Sequence, residues 1–242
     1  MNLLFDGARN LGLELNEEHL RAFEVYYEEL VAWNEKCNLT AIVVYEQVQI
    51  KHFLDSLTCL LALKGMKARR REGTKAIDVG AGAGFPGLPC RIVCPGLRLT
   101  LLEATGKKVR FLEHIVSRLG LADVEVIKGR AEEVGRDAAH RERYDLALAR
   151  AVAALPVLVE YVLPFCRLGG LFVAQKGPEG DAEAGAAAGA IATLGGALRR
   201  IVHLELPHLA EPRSLVVIEK VAPTPEKYPR RPGIPSKRPL KG

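Results

Sequence analysis

The most informative residues of this chain are three alternating glycines in the segment 77–87, which reads IDVGAGAGFPG. A run of apolar, β-favouring residues ends at Val79, and Gly80, Gly82 and Gly84 follow before a predicted helix. Glycine is required where the backbone takes a positive φ or must lie against a ligand with no Cβ in between. The segment therefore predicts a strand–loop–helix unit whose loop contacts a bound molecule.

An acidic residue follows at the position where such a unit recognises a sugar. The next predicted strand ends in Glu103, which lies 23 residues after Gly80. A carboxylate at this spacing in a βαβ unit accepts hydrogen bonds from the two hydroxyls of a ribose. The loop and the carboxylate together predict a nucleoside pocket. The alternative is that the glycines only form a tight turn and that Glu103 is a solvated side chain with no ligand.

Two kinds of nucleoside cofactor match this pattern. Gly82-x-Gly84-x-x-Gly87 also satisfies the dinucleotide fingerprint, which would indicate an NAD-dependent oxidoreductase. The strand ends before Gly80, so the match at Gly82 begins two residues late, and Pro86 stands at the helix start, where a diphosphate needs backbone N–H donors. S-adenosylmethionine (SAM) has no phosphate, and Asp78 is placed to hold its positively charged methionine end. We therefore expect SAM, with NAD as the alternative.

The elements that position the loop alternate along the chain. From residue 75 onward, short β-rich runs alternate with helical patterns, which is typical of a doubly wound, Rossmann-like α/β fold. The predicted strands are 75–79, 98–103, 124–128, 144–149, 170–175, 200–206 and 214–219. The predicted helices are 86–94, 106–119, 131–139, 155–166 and 182–198. We expect one sheet of seven mostly parallel strands with ligands at the carboxyl ends.

Segments outside this core complete the predicted organisation. Apolar residues at helical spacing follow a candidate N-cap, Asn16, and a second helical pattern covers residues 46–63. Six of the chain's 14 prolines lie near the C-terminus, where each removes a backbone donor, so no regular element is expected there. The predicted units are a small N-terminal helical cap (1–63), a basic linker (64–74), a cofactor-binding domain (75–220) and an extended basic strap (221–242).

The net charge of +5 is unevenly distributed. Residues 1–35 carry −6, residues 36–75 carry +5, residues 76–219 are balanced and residues 220–242 carry +6. Two basic segments beside a neutral domain indicate a large polyanionic partner, because each cation that meets a phosphate releases a counterion. The alternative is a solvated tail that serves solubility.

Composition also limits the class of protein. The five cysteines are odd in number and have no second Cys or His pair that would complete a zinc site, so we expect reduced, buried thiols and no metal. Apolar runs such as Leu57–Leu63 are far shorter than a membrane span. Four acidic residues among the first 20 argue against a secretory signal. We expect a soluble, cytoplasmic monomer with no membrane or protein partner.

With these residues in view, the chain resembles the RsmG (GidB) family of bacterial 16S rRNA guanine-N7 methyltransferases. The shared motifs are Trp33-Asn34-x-Lys36-x-Asn38-Leu39-Thr40, Lys51-His52-Phe53-x-Asp55-Ser56-Leu57, the loop 78–87, Arg130-Ala131-Glu132, Ala149-Arg150-Ala151-Val152-Ala153, Lys176-Gly177 and Thr224-Pro225-x-x-Tyr228-Pro229-Arg230-Arg231-x-Gly233-x-Pro235-x-Lys237. Many methyltransferases share the glycine loop, whereas the N-terminal and C-terminal motifs are specific to this family. Gln175 and the basic run Arg69–Arg71 depart from the family pattern but lie outside the predicted pocket.

The resemblance implies SAM as cofactor and 16S rRNA of the small ribosomal subunit as substrate. Together with the loop, it gives as SAM-binding candidates Asp78, Gly80, Gly82, Phe85, Glu103, Ala131, Glu132 and Arg150. The candidate RNA contacts are Asn38, Lys51, His52, Lys176, Arg230, Arg231 and Lys237. Because the tail carries +6, we expect deletion of residues 220–242 to leave SAM binding intact but to reduce RNA affinity and its salt dependence.

The implied reaction requires no general base. Guanine N7 carries a lone pair and no proton, so catalysis can rest on placing N7 in line with the sulfonium methyl while the base is exposed from its stack. Arg150, at the end of the fourth predicted strand, is the candidate for a direct role. No Asn/Asp-Pro-Pro-aromatic motif follows that strand, and Cys90 lies in the first helix, which disfavours exocyclic-amine and cytosine-C5 chemistry. An assembly factor that keeps SAM only as a ligand remains open.

Overall fold

The computed structural model describes residues 1–63 and 73–240, so most of the predicted basic linker lies outside the described residues. The strands are β1 Lys75–Val79, β2 Arg98–Glu103, β3 Val124–Lys128, β4 Tyr144–Arg150, β5 Cys166–Lys176, β6 Gly196–Leu204 and β7 Arg213–Lys220. The α-helices are α1 Asn2–Asn10, α2 Glu17–Cys37, α3 Tyr45–Val48, α4 Asp55–Leu57, α5 Gly87–Val93, α6 Gly106–Arg118, α7 Ala131–Val134, α8 Leu155–Val162, α9 Gly180–Thr193 and α10 Ile234–Lys237. A π-helical segment covers Gln49–Leu54, and 3₁₀ segments cover Thr58–Leu63 and Leu163–Phe165.

The seven strands form one sheet in the order β3-β2-β1-β4-β5-β7-β6. The pairs among β1 to β5 are parallel, and β7 runs antiparallel to both of its neighbours. The prediction of a seven-stranded, mostly parallel α/β sheet is confirmed. In β1 and β2 every residue after the first is buried, because helices cover both faces of a parallel sheet. This double burial explains why the central strands are nearly continuous apolar runs.

The strand order reverses at β1, which places a crevice at the carboxyl edge of the sheet. The chain leaves β1 toward β2 and β3 on one side, while β4 and β5 lie on the other side. Connections that diverge in this way leave the space in which doubly wound proteins bind ligands. The backbone N–H groups of Gly80 and Ala81 both donate to Leu102 O, at 2.8 and 3.1 Å. The glycine loop is therefore bonded to the end of β2, next to Glu103.

The N-terminal cap contains the two predicted helical regions and an additional helix, α1. The Asn16 side chain accepts the His19 N–H, and the His19 ring accepts the Asn16 N–H, so Asn16 caps α2 as predicted. Helix α1 was not predicted, because its nine residues repeat the apolar pattern too few times to be recognised. It buries Leu4, whose N–H donates to Gln49 Oε1 at 3.3 Å.

The predicted helix over residues 46–63 is a continuous helical run from Tyr45 to Leu63 whose hydrogen-bond spacing changes along its length. Residues 52–60 are all buried. A helix buried on all sides is shaped by its neighbours rather than by one apolar stripe, and π-helical turns accommodate such packing. Phe53 contacts Phe23 of α2, with ring centroids 4.9 Å apart, so this run and α2 share one core.

The C-terminal strap is mostly irregular, but the expectation that it has no regular element was wrong for Ile234–Lys237, which form α10. Gly233 caps this turn with φ +79°, and Pro235 occupies its first turn, where a missing N–H donor breaks no hydrogen bond. The strap is packed onto the domain rather than extended into solvent, since Tyr228 is 7% exposed.

Three predicted helices end earlier than expected. The helix predicted at 131–139 ends at Val134, the one at 155–166 ends at Val162 before a 3₁₀ turn, and the one at 182–198 ends at Thr193. Gly195, with φ +79°, separates that last helix from β6, so the chain reverses there and continues as a strand. None of the helices in residues 1–63 and 73–240 is both long and apolar enough to cross a bilayer.

Candidate functional site

A cleft of about 290 Å³ opens at the carboxyl edge of the sheet, at the reversal of strand order. The ends of β1 and β2 form its floor and one side, and α7 forms the adjacent side. The loop after β4 and the exposed edge of α8 close the remaining side. The residues that line it are Val79, Gly80, Leu102, Glu103, Ala104, Lys108, Gly129, Arg130, Ala131, Glu132, Ala151, Val152 and Tyr161.

The glycine loop takes a left-handed conformation at each of its three glycines. The φ angles are +75° at Gly80, +62° at Gly82 and +96° at Gly84, which side-chain-bearing residues adopt at a cost. A Cβ on Gly80 would come within 2.7 Å of Val152, so this glycine also permits the loop after β4 to close on the cleft. A Cβ on Gly84 would clash with the Tyr26 hydroxyl. The loop therefore needs glycine for its backbone and for its neighbours.

Glu103 is held in place by the backbone of two loops. Its Oε2 accepts the Gly82 N–H at 2.9 Å and its Oε1 accepts the Thr105 N–H at 2.7 Å. The residue is 6% exposed and lines the cleft. A carboxylate has about four lone-pair directions, so each oxygen keeps room for one more donor. This geometry leaves Glu103 able to accept the two hydroxyls of a ribose.

Asp78 lies behind the glycine loop and not on the cleft surface. It is completely buried, and its Oδ2 accepts the Gly87 N–H at 2.7 Å, at the start of α5. Its Oδ1 has no hydrogen-bond partner in the described part of the chain. Burial raises the pKa of this carboxyl to about 7, against the opposing effects of the Gly87 N–H and of Arg150. A cation placed near it would shift Asp78 to its charged form.

The residues after β3 contribute the backbone of α7. Ala131 and Glu132 lie in the first helical turn, where backbone N–H groups have no intrahelical acceptor. The Glu132 side chain is already engaged, because its Oε1 accepts the Gly233 N–H of the strap at 3.0 Å. The structure therefore offers the backbone at this position as a ligand contact and uses the carboxylate to hold the strap.

Arg150, at the end of β4, is directed toward the cap. Its Nη1 donates to Asp55 Oδ2 at 3.0 Å and to Lys51 O at 3.1 Å, and its side chain is 14% exposed. Asp55 also lies 3.4 Å from the Arg213 guanidinium of β7. This buried ion pair between cap and sheet fixes Arg150 beside the mouth of the glycine loop. Its guanidinium carbon is 5.1 Å from the centre of the Phe85 ring.

Phe85 packs toward the cap and does not line the cleft. Its ring stacks on His52 at 4.5 Å and on Tyr26 at 5.4 Å between centroids. The Tyr26 hydroxyl donates to Ala83 O at 2.5 Å, so the cap also holds the loop backbone. The cap therefore sets the position of the glycine loop through an aromatic stack and one hydrogen bond.

His52 is buried and neutral. Its pKa is lowered to about 3, first by burial and then by the nearby Arg150 and Lys51 charges. Nδ1 lies 3.4 Å from the Arg150 Nη2 donor and accepts from it, so Nε2 carries the proton and donates to Thr40 Oγ1 at 2.8 Å. A histidine with both nitrogens in use and a depressed pKa is a packed, hydrogen-bonded residue of the cap.

The candidate RNA contacts divide into engaged and exposed side chains. Lys176 donates to Ala153 O at 2.7 Å and pairs with Glu183 at 2.8 Å, so it supports the loop after β4. Arg230 forms a bidentate pair with the buried carboxylate of Glu160. The remaining candidates are exposed or half-buried on the surface: Asn38, Lys51, Arg231 and Lys237.

Sequence reasoning missed a group of cations around the cleft. Lys108 and Arg130 line it, and Lys128 lies beside Gly106 at the start of α6. Within residues 1–63 and 73–240, these three side chains form no hydrogen bond or ion pair. The balanced charge of residues 76–219 concealed them, because a segment total does not show that Glu103 and Glu132 of the same cleft are already bonded to backbone N–H groups while these cations, among the described residues, are not. The signal available in the sequence was their position, directly before or after a strand or glycine turn.

The polar groups of the site suit a positively charged nucleoside without phosphates. Asp78 and Glu103 are buried acids near the loop, and the first N–H donor of α5, that of Gly87, is already used by Asp78. Pro86, which precedes α5, has no N–H to offer. A diphosphate would meet a buried carboxylate instead of free donors, whereas the sulfonium and ammonium groups of SAM would be attracted. The residues present therefore fit SAM and do not fit NAD.

Comparison with known proteins gives a consistent result. A family model described as rRNA small subunit methyltransferase G (GidB) matches residues 19–213. Ribosomal RNA small subunit methyltransferase G of Pelotomaculum thermopropionicum is 51% identical over 235 residues, 97% of this chain and 96% of that protein. The protein of the same name from Alkaliphilus metalliredigens is 48% identical over 239 residues, 99% of this chain and 98% of that protein. The crystal structure of precorrin-6y C5,15-methyltransferase from Geobacter metallireducens has a TM-score of 0.50 at 14% identity, covering 68% of this chain and 87% of that chain, a likeness of fold.

Proposed function

Because the chain belongs to the family of rRNA small subunit methyltransferase G, a family of SAM-dependent methyltransferases, we propose that it methylates N7 of a guanine in 16S rRNA. The observation that carries the proposal is the cleft at the carboxyl edge, where a buried Glu103 faces a left-handed glycine loop. This pairing suits a ribose, and the unpartnered Asp78 Oδ1 behind the loop suits a cation. A phosphate-free, cationic nucleoside satisfies both.

The residues of the chain would divide the cofactor between them. Glu103 would bind the ribose hydroxyls, and the backbone N–H groups of Ala131 and Glu132 would bind the edge of adenine. Gly80 and Gly82 would let the methionine portion lie directly on the loop backbone, with Asp78 behind it. When bound, SAM supplies an electrophilic methyl group at its sulfonium.

The chemistry then depends on placement. N7 of guanine carries a lone pair and no proton, so the chain needs to orient the base and exclude water rather than remove a proton. His52 is unsuited to act as a base, since its pKa is depressed and both ring nitrogens are engaged. Arg150 is held rigidly by Asp55 and by Lys51 O at the cap side of the loop. It would contact the incoming guanine or its phosphate and so orient N7 toward the methyl group.

Exposed cations around the cleft would hold the RNA backbone. Lys108, Lys128 and Arg130 lie on the β2–β3 side, and Arg231 and Lys237 lie on the strap. Free cations near a cleft attract phosphates and release counterions, so binding should weaken steeply with salt. Asn38 and Lys51 of the cap would approach the RNA from the other side, near Arg150.

The test is methyl transfer from labelled SAM to small ribosomal subunits of a strain that lacks the enzyme. Borohydride–aniline cleavage of the 16S rRNA would then locate any N7-methylguanosine. Label at N7 supports the proposal, and label at another atom would contradict it. SAM binding without transfer would instead indicate an assembly factor that keeps SAM as a ligand. We further propose that the protein acts as a cytoplasmic monomer, which sedimentation of the active enzyme and cell fractionation would test.

A further inference from the structure

The strap, residues 221–240, contacts the cofactor cleft at Glu132. This side chain is 5% exposed and accepts the Gly233 N–H at 3.0 Å. Glu132 stands in the first turn of α7, which lines the cleft on the side where the edge of adenine is proposed to bind. The strap therefore holds Glu132, at the start of the helix that forms one wall of the cleft.

A second contact holds the opposite wall. Glu160 of α8 is completely buried and directly precedes Tyr161, which lines the cleft. Arg230 of the strap satisfies this carboxylate with its backbone N–H at 2.8 Å, with Nε at 2.9 Å and with Nη2 at 2.5 Å. A buried carboxylate is stable only when it is paired and hydrogen-bonded, so the orientation of this turn of α8 depends on Arg230. The same guanidinium donates to Arg238 O at 2.8 Å, which closes the strap on itself.

The strap is also anchored to the chain that follows α7. The Arg141 guanidinium donates to Thr224 O at 2.7 Å and to Tyr228 O at 2.8 Å, and Arg136 Nε donates to Pro229 O at 2.8 Å. Five or more backbone groups of the strap are therefore used inside the protein. A tail that only contacted RNA would leave these groups to solvent.

We propose that the strap is a wall of the cofactor site, and that Arg230 and Gly233 are positioning residues that set the affinity and base selectivity for the adenosyl group before any RNA binds. The inference rests on the proposed function, because it takes the cleft to hold the adenosyl group of SAM. It opposes the expectation that deletion of residues 220–242 leaves SAM binding intact. The strap joins α7 to α8, so adenine would bind between two elements that the strap keeps at a fixed separation.

The test uses the full chain without RNA and two ligands, S-adenosylhomocysteine and S-inosylhomocysteine, which differ at the edge of the base. Removal of Arg230 alone would strand a buried charge, so Arg230→Met is combined with Glu160→Leu to keep the interior neutral. Arg238→Met is the matched control, because it removes an exposed strap cation whose guanidinium forms no hydrogen bond or ion pair in the described residues. Thermal unfolding verifies that each variant is folded.

For the wild type and for Arg238→Met, we expect the adenosyl ligand to bind at least tenfold more tightly than the inosyl ligand. In the double variant, we expect adenosyl affinity to fall about tenfold and the preference over inosine to fall to about twofold. A folded double variant with unchanged affinity and preference would overturn the role of the strap. Equal weakening of both ligands would also overturn it, since that would be loss of stability rather than positioning. A wild type that binds neither ligand would instead contradict the proposed function.

Discussion

Replacement of Glu103 by glutamine is the most direct test of the cofactor site. The carboxylate accepts the N–H of Gly82 and that of Thr105, at 2.9 and 2.7 Å, and faces the cleft with the rest of its lone pairs. Glutamine keeps the size of the side chain but turns one acceptor oxygen into an NH₂ donor. One backbone N–H then faces a donor, and one ribose hydroxyl loses its acceptor.

The size of the effect follows from these contacts. A hydrogen bond to a charged group contributes about 1.5–3 kcal/mol, and Glu103 is nearly buried, so solvent does not replace the lost partner. Loss of one such bond to the ribose weakens binding about 10- to 150-fold. Glu103→Ala should be at least as severe, because the glycine loop also loses its anchor.

The assay is titration calorimetry with S-adenosylhomocysteine and with its 2′-deoxy analogue. Glu113→Gln is the control, since it removes the same charge from an exposed position on the neighbouring helix α6. If Glu103 binds the ribose, the deoxy analogue should lose little further affinity in Glu103→Gln, because the shared interaction is lost only once. An affinity within twofold of wild type, or an undiminished penalty for the deoxy analogue, would refute the ribose assignment.

Other expectations follow from the buried groups around the loop. Asp78 has a pKa raised to about 7, so binding of cationic SAM should release a proton near pH 6 and weaken as the pH falls below 7; calorimetry in two buffers measures this, and Asp78→Asn should abolish it. His52 has a pKa lowered to about 3, so the unfolded chain binds the extra proton between about pH 3 and 6.5. Stability should therefore fall on acidification through that window, by up to about 1.4 kcal/mol per pH unit, and urea unfolding of His52→Gln should lack this part of the slope. Gly84→Ala would clash with the Tyr26 hydroxyl and with Leu88 at φ +96° and should destabilise the fold by about 1–3 kcal/mol; unfolding should show partial recovery on adding Tyr26→Phe, and no recovery would mean that φ strain and the Leu88 clash are responsible.

Local sequence predicted the parts of the fold that depend on local chemistry. The bounds predicted for β1, β2 and β3 agree with the structure to the residue. β1 and β2 are short buried apolar runs, and β3 is a short β-favouring run with exposed positions at Glu125 and Lys128. Helix α1 was not predicted because it has only nine residues, so its apolar pattern repeats too few times. The π-helical spacing at Gln49–Leu54 was not predicted because it depends on packing rather than on a sequence period. The short helix α10 was not predicted because proline usually breaks a helix, although the first helical turn tolerates it.

The candidate site shows the same difference between residues with local roles and residues whose contacts are distant in sequence. Glu103 and the glycine loop could be identified because their roles depend on spacing within one βαβ unit. The positions of Arg150 and Phe85 depend on contacts with the cap. Asp55 of the cap lies 95 residues before its partner Arg150, so no local sequence pattern indicates this contact. Glu132 was assigned to the adenine edge from its position after β3, and its carboxylate proved to bond Gly233, 101 residues further along.

The net charge of each sequence segment was a poor predictor of where unpaired cations lie in the folded protein. Part of the +6 tail is used inside the protein: Lys220 pairs with Glu142 at 3.0 Å and Arg230 with Glu160 at 2.5 Å. The balanced middle of the chain, in contrast, brings Lys108 of α6 and Arg130, the residue before α7, to the same cleft. Only cations that remain exposed can release counterions from a phosphate backbone, so the fold and not the segment total decides where RNA is attracted. The polyanion predicted from the termini should accordingly be bound around the mouth of the cleft, beside the cofactor, where the target base has to arrive.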